Sequence, residues 1–279
     1  MRGAQLGQQL PLFGSCQRWR GGREAFRPAG EPFEPARYCV EQVAFSTAKR
    51  FVLEHHYSGT MPAARLELGL LQKPSRWRRE EVAGVIVLSV PVQERAIPAW
   101  FDGMHPRLGI EIGRLVLLDD VPANGETWFL GRAFRLMRKL LPEVRGVLSY
   151  CDPMERRDAH GRVVKRGHIG TVYRAFNGRY VGRSSPRLIT VSRDGRCVSE
   201  RALSKIRGDE QGAAYAVRQL TDMGAPARDE GESGAAYVER ALRAGGFSRI
   251  RHPGNLTFTW RVDGAQARGP LNTQASPVA

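Results

Sequence analysis

Residues 110–150 leave this chain few architectures. Ile110–Leu118 is an apolar stretch of strand length, followed by the loop DDVPANGE. A helix opening at about Thr127 sets Phe129, Leu130, Ala133, Phe134, Met137, Leu140 and Leu141 at helical spacing. Its outward positions carry Arg132, Arg135, Arg138 and Lys139. Pro142 stops the helix, and Val144–Tyr150 reads as another buried strand. A strand, a one-sided helix and a second strand bury their apolar faces together when both strands join one sheet and the helix crosses over it.

The flanking segments enlarge that sheet. Arg65–Leu71 fits a strand, and the β-branched run Val82–Val90 suits a strand buried on both faces. Residues 74–81 read as a charged hairpin tip between the two. Ser46 is placed to cap a helix running to about His55. Residues 169–176 read as helical and Tyr180–Val191 as extended. Beyond residue 198 the pattern changes to short helices at Glu200–Ile206, Gly212–Met223 and Tyr237–Ala244, with a polar linker over 225–234. Leu256–Val262 then alternates like a half-buried strand. The expected fold class is α/β (α+β), a mixed central sheet flanked by helices with a C-terminal helical and strand extension. The expected division is an irregular arm over 1–38, a catalytic domain over 39–197, an accessory module or a long extension on the same sheet over 198–263, and a flexible tail over 264–279.

Charge narrows the partners. The 279 residues carry a formal net charge of +15, and 42% of them are hydrophobic, enough for a substantial core. The excess is local: residues 132–187 hold fourteen Lys/Arg against four Asp/Glu. Such a face fits a polyanion, with nucleic acid first, because Lys and Arg displace counterions from phosphates. Cys16, Cys39, Cys151 and Cys197 are widely spaced, so neither a zinc ribbon nor a disulfide framework is indicated. No apolar run approaches a membrane span and the N-terminus lacks a signal-peptide core. The expected setting is the cytoplasm, with no membrane partner.

Within the basic region, LSYCDPMERRDAHGRVVKRGHIGTVYRAFNGRYVGR runs from Leu148 to Arg183. An apolar strand ends in a carboxylate, Asp152; a cationic loop with His160 and His168 follows, then Tyr173. Upstream lie His56-Tyr57-Ser58-Gly59, Met61-Pro62 and the strand EIGRLVLLDD. In this order and spacing, the motifs over roughly residues 45–190 resemble the Mom family of phage DNA-modification enzymes, a divergent branch of the GNAT acyltransferase fold. The resemblance implies modification of adenine N6 in DNA by a carbamoylmethyl (acetamido) group, which masks the major-groove edge from restriction endonucleases. Ordinary GNAT enzymes cradle the CoA pyrophosphate with an Arg/Gln-x-x-Gly-x-Gly/Ala loop at a helix start. Here the corresponding PANGETWFLG has Gly125 and Gly131 without that spacing. The donor is therefore open: acetyl-CoA or another acyl or aminoacyl donor, small or carrier-bound, held by Arg114, Asn124 and Gly125; the alternative partners of Arg114 are a DNA phosphate, Glu111 or Asp119.

The adenine amine is a poor nucleophile that must be flipped from the stack, relieved of a proton and offered an activated donor. Asp152, at the end of a buried strand, is the candidate proton acceptor, its pKa raised by burial; the alternative is an Asx turn before Pro153. His56 is read as acid, base or metal ligand, and Tyr57 as proton donor or stacking ring; the alternative is a helix-terminal His with a packed lid. Tyr173 is read as general acid or stacking platform, against ordinary packing. Arg156, Arg157, Arg162, Lys165, Arg166 and His168 are placed along the backbone of double-stranded DNA. His56, Asp152 and His168 are also candidates for a two-His, one-carboxylate site for non-haem iron. Two other functions stay open: a GNAT acetyltransferase acting on a protein or small molecule, and a DNA-binding protein without catalysis.

Overall fold

The computed structural model describes residues 32–73 and 80–263, and the backbone of a hairpin formed by β1 (Cys16–Arg20) and β2 (Arg23–Arg27). The expected tail over 264–279 and the tip over 74–79 lie outside the described residues, as do residues 1–15 of the expected arm. From Tyr38 the chain builds a sheet. β3 (Tyr38–Gln42), α1 (Phe45–His55), β4 (Ala64–Gln72) and β5 (Glu81–Ser89) come first. A short helix, α2 (Ala96–Trp100), leads to β6 (Gly109–Leu117), α3 (Gly125–Leu140) and β7 (Gly146–Cys151). A two-stranded ribbon, β8 (Arg156–Arg157) and β9 (Val163–Lys165), precedes α4 (Thr171–Ala175) and β10 (Arg179–Arg183). The rest comprises β11 (Arg187–Val191), β12 (Cys197–Val198), α5 (Glu200–Arg207), α6 (Ala213–Asp222), α7 (Gly234–Ala244), β13 (Ser248–His252) and β14 (Leu256–Arg261).

Seven strands form the central sheet in the order β10-β14-β7-β6-β5-β4-β3. Only β6 and β7 pair in parallel, because α3 carries the chain back over one face before β7 begins. The α3 residues Phe129, Leu130, Ala133 and Met137 are buried against Ile86, Leu88, Ile110 and Val147. The opposite face of β5 presents Val85 and Val87 to Ala48, Phe51 and Val52 of α1. This two-sided burial is why β5 reads as an unbroken apolar run. The helix before it starts differently from expectation: Ala44, not Ser46, is the N-cap of α1, and no side chain caps it.

Two further differences matter for the site. The extended stretch after α4 divides at Ser184-Ser185-Pro186, where proline lacks the N–H a continuing ladder needs. Its halves join different sheets: β10 lies at the edge of the central sheet, while β11 pairs with β12 and β13. The last strand, β14, pairs with β7 along its whole length and lies inside the central sheet. Residues on both sides of 198 thus share one sheet. Between them, α5, α6 and α7 gather a core of their own around Leu203, Ile206, Leu220, Tyr237 and Val238.

Candidate functional site

The parallel pair opens a cleft. β6 and β7 pair only from Gly109 to Glu111, opposite Gly146 to Leu148, and then diverge. Into that divergence open Glu111 through Leu117, Tyr150, Asp152, His168 and Tyr173, with His56 and Tyr57 from the segment after α1. The volume enclosed is about 1090 Å³. Gly170, at φ +78, starts α4 where a Cβ would lie 2.3 Å from the Phe258 ring, and this close approach seats Tyr173 on β14. The Tyr173 ring is 6% exposed and packs edge-on to Trp260, with centroids 5.5 Å apart.

Glu111 sits at the last paired position of the diverging strands. Burial raises its carboxyl to about 7, with the Arg114 cation pulling the other way. Its side chain has no hydrogen-bond or ion-pair partner among the described residues. A carboxyl in that range is half ionised near neutrality and suited to accept a proton. In sequence, the only mark on Glu111 is its place near Arg114 in an otherwise apolar strand.

Arg114 reaches back over the cleft. Its Nε donates to the Thr60 carbonyl at 2.9 Å, one terminal nitrogen donates to Thr60 Oγ1 at 2.7 Å, and the other donates to the Gly113 carbonyl. These acceptors are neutral, and no carboxylate pairs with Arg114 among the described residues. The guanidinium therefore keeps its full charge at the cleft while fixing the 56–60 segment. His56 Nδ1 accepts the Ser58 N–H at 3.1 Å, so the neutral ring carries its proton on Nε2. Burial, then Arg114 and His168, push His56 down to about 3. The ring is therefore neutral, with its proton on Nε2. Tyr57 stacks on the His56 ring at 4.3 Å and is 48% exposed.

Asp152 overturns the expectation of a raised pKa. Oδ1 accepts the Met154 N–H and His252 Nε2, each at 2.9 Å, while Lys165 Nζ lies 3.2 Å from Oδ2. Burial raises this carboxyl, but Lys165, His252 and the Met154 N–H together hold it below its ordinary range. It is an ionised anchor that also closes an Asx turn. His252 Nδ1 accepts the Gly254 N–H at 3.0 Å, which fixes the tautomer donating to Asp152. The sequence analysis gave His252 no role, and nothing local marks it, since 100 residues separate the pair.

Two of the expected DNA contacts are interior. Lys165 is 3% exposed, and its ammonium also donates to the carbonyls of Asp152, Met154 and Arg166. Arg156 has 11% of its side chain exposed, and donates to Cys197 Sγ at 2.7 Å. Folding of the loop back onto Asp152 consumes both charges. Arg157, Arg162 and Arg166 stay exposed. His168 belongs to the cleft, its ring edge-on to Tyr173 at 5.7 Å and kept neutral by burial and by Lys165.

The expected metal and cofactor residues fare differently. Among the described residues, no three His, Cys, Asp or Glu side chains gather as metal ligands. His56, Asp152 and His168 therefore do not fit iron, since Asp152 is already saturated by protein donors. At the start of α3, the Gly125 N–H donates to Pro122 O at 3.1 Å and a Cβ there would meet Val121 at 2.5 Å. This glycine serves packing. Asn124 faces the cleft, but so do Asp119 and Glu126. Glu126, in the first turn of α3, competes with a pyrophosphate for the helix dipole, so this helix start does not fit the phosphates of CoA.

The model of the Mom protein family matches residues 37–229. Comparison with curated proteins gives no match. Among solved structures, a tandem GNAT protein from the clavulanic acid biosynthesis pathway (without AcCoA) aligns at a TM-score of 0.39 and 10% identity, over 80% of this chain and 98% of that chain. Among the described residues no helix is long and apolar enough to cross a membrane.

Proposed function

The chain belongs to the Mom protein family, and from that premise we propose that it is a DNA-modifying transferase that places a carbamoylmethyl-type group on adenine N6. The observation that carries the chemistry is Glu111, a carboxyl near 7 at the point where β6 and β7 part. In this reading the adenine amine attacks the electrophilic carbon of the transferred group and Glu111 takes the amine proton. Tyr173, whose phenol burial raises far above its ordinary range, stays protonated and donates to the departing group. Arg114 and the Nε2–H of His56 stabilise negative charge developing on the donor. Asp152 acts at one remove: with His252 and Lys165 it fixes the end of β7 and the loop beneath His168. Donor groups enter between the splayed strands. Phosphate contacts come from Arg157, Arg162 and Arg166.

Acetyl transfer from CoA is disfavoured by Glu126 in the first turn of α3. Binding without catalysis leaves an unpaired, proton-active carboxyl facing Arg114 without purpose. Mass spectrometry of nucleosides from DNA of cells expressing the chain tests the proposal. A heavier deoxyadenosine is expected, absent in cells expressing Glu111→Gln. Unmodified deoxyadenosine in the wild type refutes it.

A further inference from the structure

His55, His56, Tyr57 and Lys165 line two cavities. On the side away from the splayed strands, a groove of about 1100 Å³ runs between the 53–60 segment and the helical unit. Its cationic lining, Arg156, Lys165, Arg196, Arg218 and Arg228, outweighs Glu54 and Asp222. Most of those cations are engaged by acids: Arg156 and Lys165 by Asp152, Arg196 by Asp194, Arg228 by Asp209. Arg218, exposed on α6, pairs with no carboxylate among the described residues.

Beside it stands Tyr215, 59% exposed. Gln219 Nε2 donates to its hydroxyl at 3.2 Å, and the Arg218 guanidinium lies 5.9 Å from the ring centroid. An oriented, open aromatic face with an unneutralised cation beside it is the pairing that receives nucleobases and their phosphates.

We propose that this groove seats the DNA strand carrying the target adenine, with Tyr215 stacking on a base flanking the extruded one and Arg218 on the adjoining phosphate. The inference rests on the DNA reading above and adds where the acceptor enters. A two-substrate transferase needs both substrates at the same side chains. Here His56 and Tyr57 form the shared wall of two cavities, so donor and nucleotide arrive from opposite sides. Extrusion breaks a stack, and a ring offered to the neighbouring base compensates part of that loss.

Fluorescence anisotropy of a fluorescein-labelled, adenine-rich duplex with the full chain tests the groove. Tyr215→Ala is expected to weaken binding about ten-fold, while Tyr215→Phe, which keeps the ring, binds like the wild type. Arg218→Ala is expected to reduce the slope of log affinity against log salt by about one. Circular dichroism of all three should match the wild type, since both side chains are exposed. Wild-type affinity and salt slope in Tyr215→Ala and Arg218→Ala would overturn the inference, even with adenine modified normally. Loss of affinity in Tyr215→Ala without any heavier deoxyadenosine in the wild type would support the groove while refuting the chemistry.

Discussion

Lys165 Nζ lies 3.2 Å from Asp152 Oδ2 inside the protein, beneath a loop whose sequence suggests solvent and phosphate. Removing either partner leaves the other in the interior without the opposite charge 3.2 Å away. Lys165→Met should destabilise the fold by about 3–5 kcal/mol, and adding Asp152→Asn should recover part of that loss. Urea denaturation of the two single variants and the double variant measures the coupling, and additive losses would dissolve the anchor. The sign with pH follows from the depressed carboxyl: its stabilisation is complete above the ordinary carboxylate range and is lost as pH falls. Asp152→Asn should flatten the acid limb of stability.

Glu111 predicts the rate profile. Activity should rise with pH through about 7, as the carboxyl ionises, and Glu111→Gln should cut kcat by about 10²-fold or more and remove that limb. Stability runs the opposite way. A raised carboxyl stabilises fully below its ordinary value of 4.5, and the contribution disappears as pH rises through about 7. Glu111→Gln should therefore be more stable than the wild type at pH 8 by thermal denaturation. A profile with its limb intact in Glu111→Gln assigns the proton elsewhere.

Tyr173→Phe keeps the ring against Trp260 and removes only the hydroxyl. Its kcat should fall by about 10²-fold, while the pH profile keeps its position, because the buried phenol does not titrate in the working range. Steady-state kinetics across pH checks both points; full activity in Tyr173→Phe would leave the ring as packing alone.

Exposed and interior cations should separate in salt titrations of DNA binding. Arg162→Ala and Arg166→Ala should each lower the slope of log affinity against log salt by about one. Lys165→Met should leave the slope unchanged in whatever fraction stays folded, since its charge never meets a phosphate. Equal slopes for all three would place the duplex away from this loop.

Much of the sheet was legible because periodicity reports burial. The run at Val82–Val90, the one-sided helix ending before Pro142 and the strand before Asp152 all appear where the pattern puts them. Neighbour relations were not legible. Alternation in LTFTWR shows a strand but not that β14 would slot between β7 and β10. The candidate site was legible as a set of motifs and less so as roles. His56, Tyr57, Asp152 and Tyr173 do line one cleft. A carboxylate's role depends on what folds against it: Asp152 met Lys165 and His252 and became an anchor, while Glu111 met apolar walls and became proton-active. The cationic loop resembled a phosphate-binding surface because charge runs usually lie in solvent, and sequence does not reveal a lysine turned inward.

The placement of β14 also orders events during synthesis. Phe258 and Trp260 form the wall behind Tyr173, and the imidazole that holds Asp152 comes from the strand just before them. A ribosome-bound chain that has emerged only to residue 245 lacks β14, so β7 and β10 have no common neighbour and Tyr173 has no aromatic wall behind it. The cleft thus stays incomplete until β14 is threaded between two earlier strands, β7 made about a hundred residues before it and β10 about seventy.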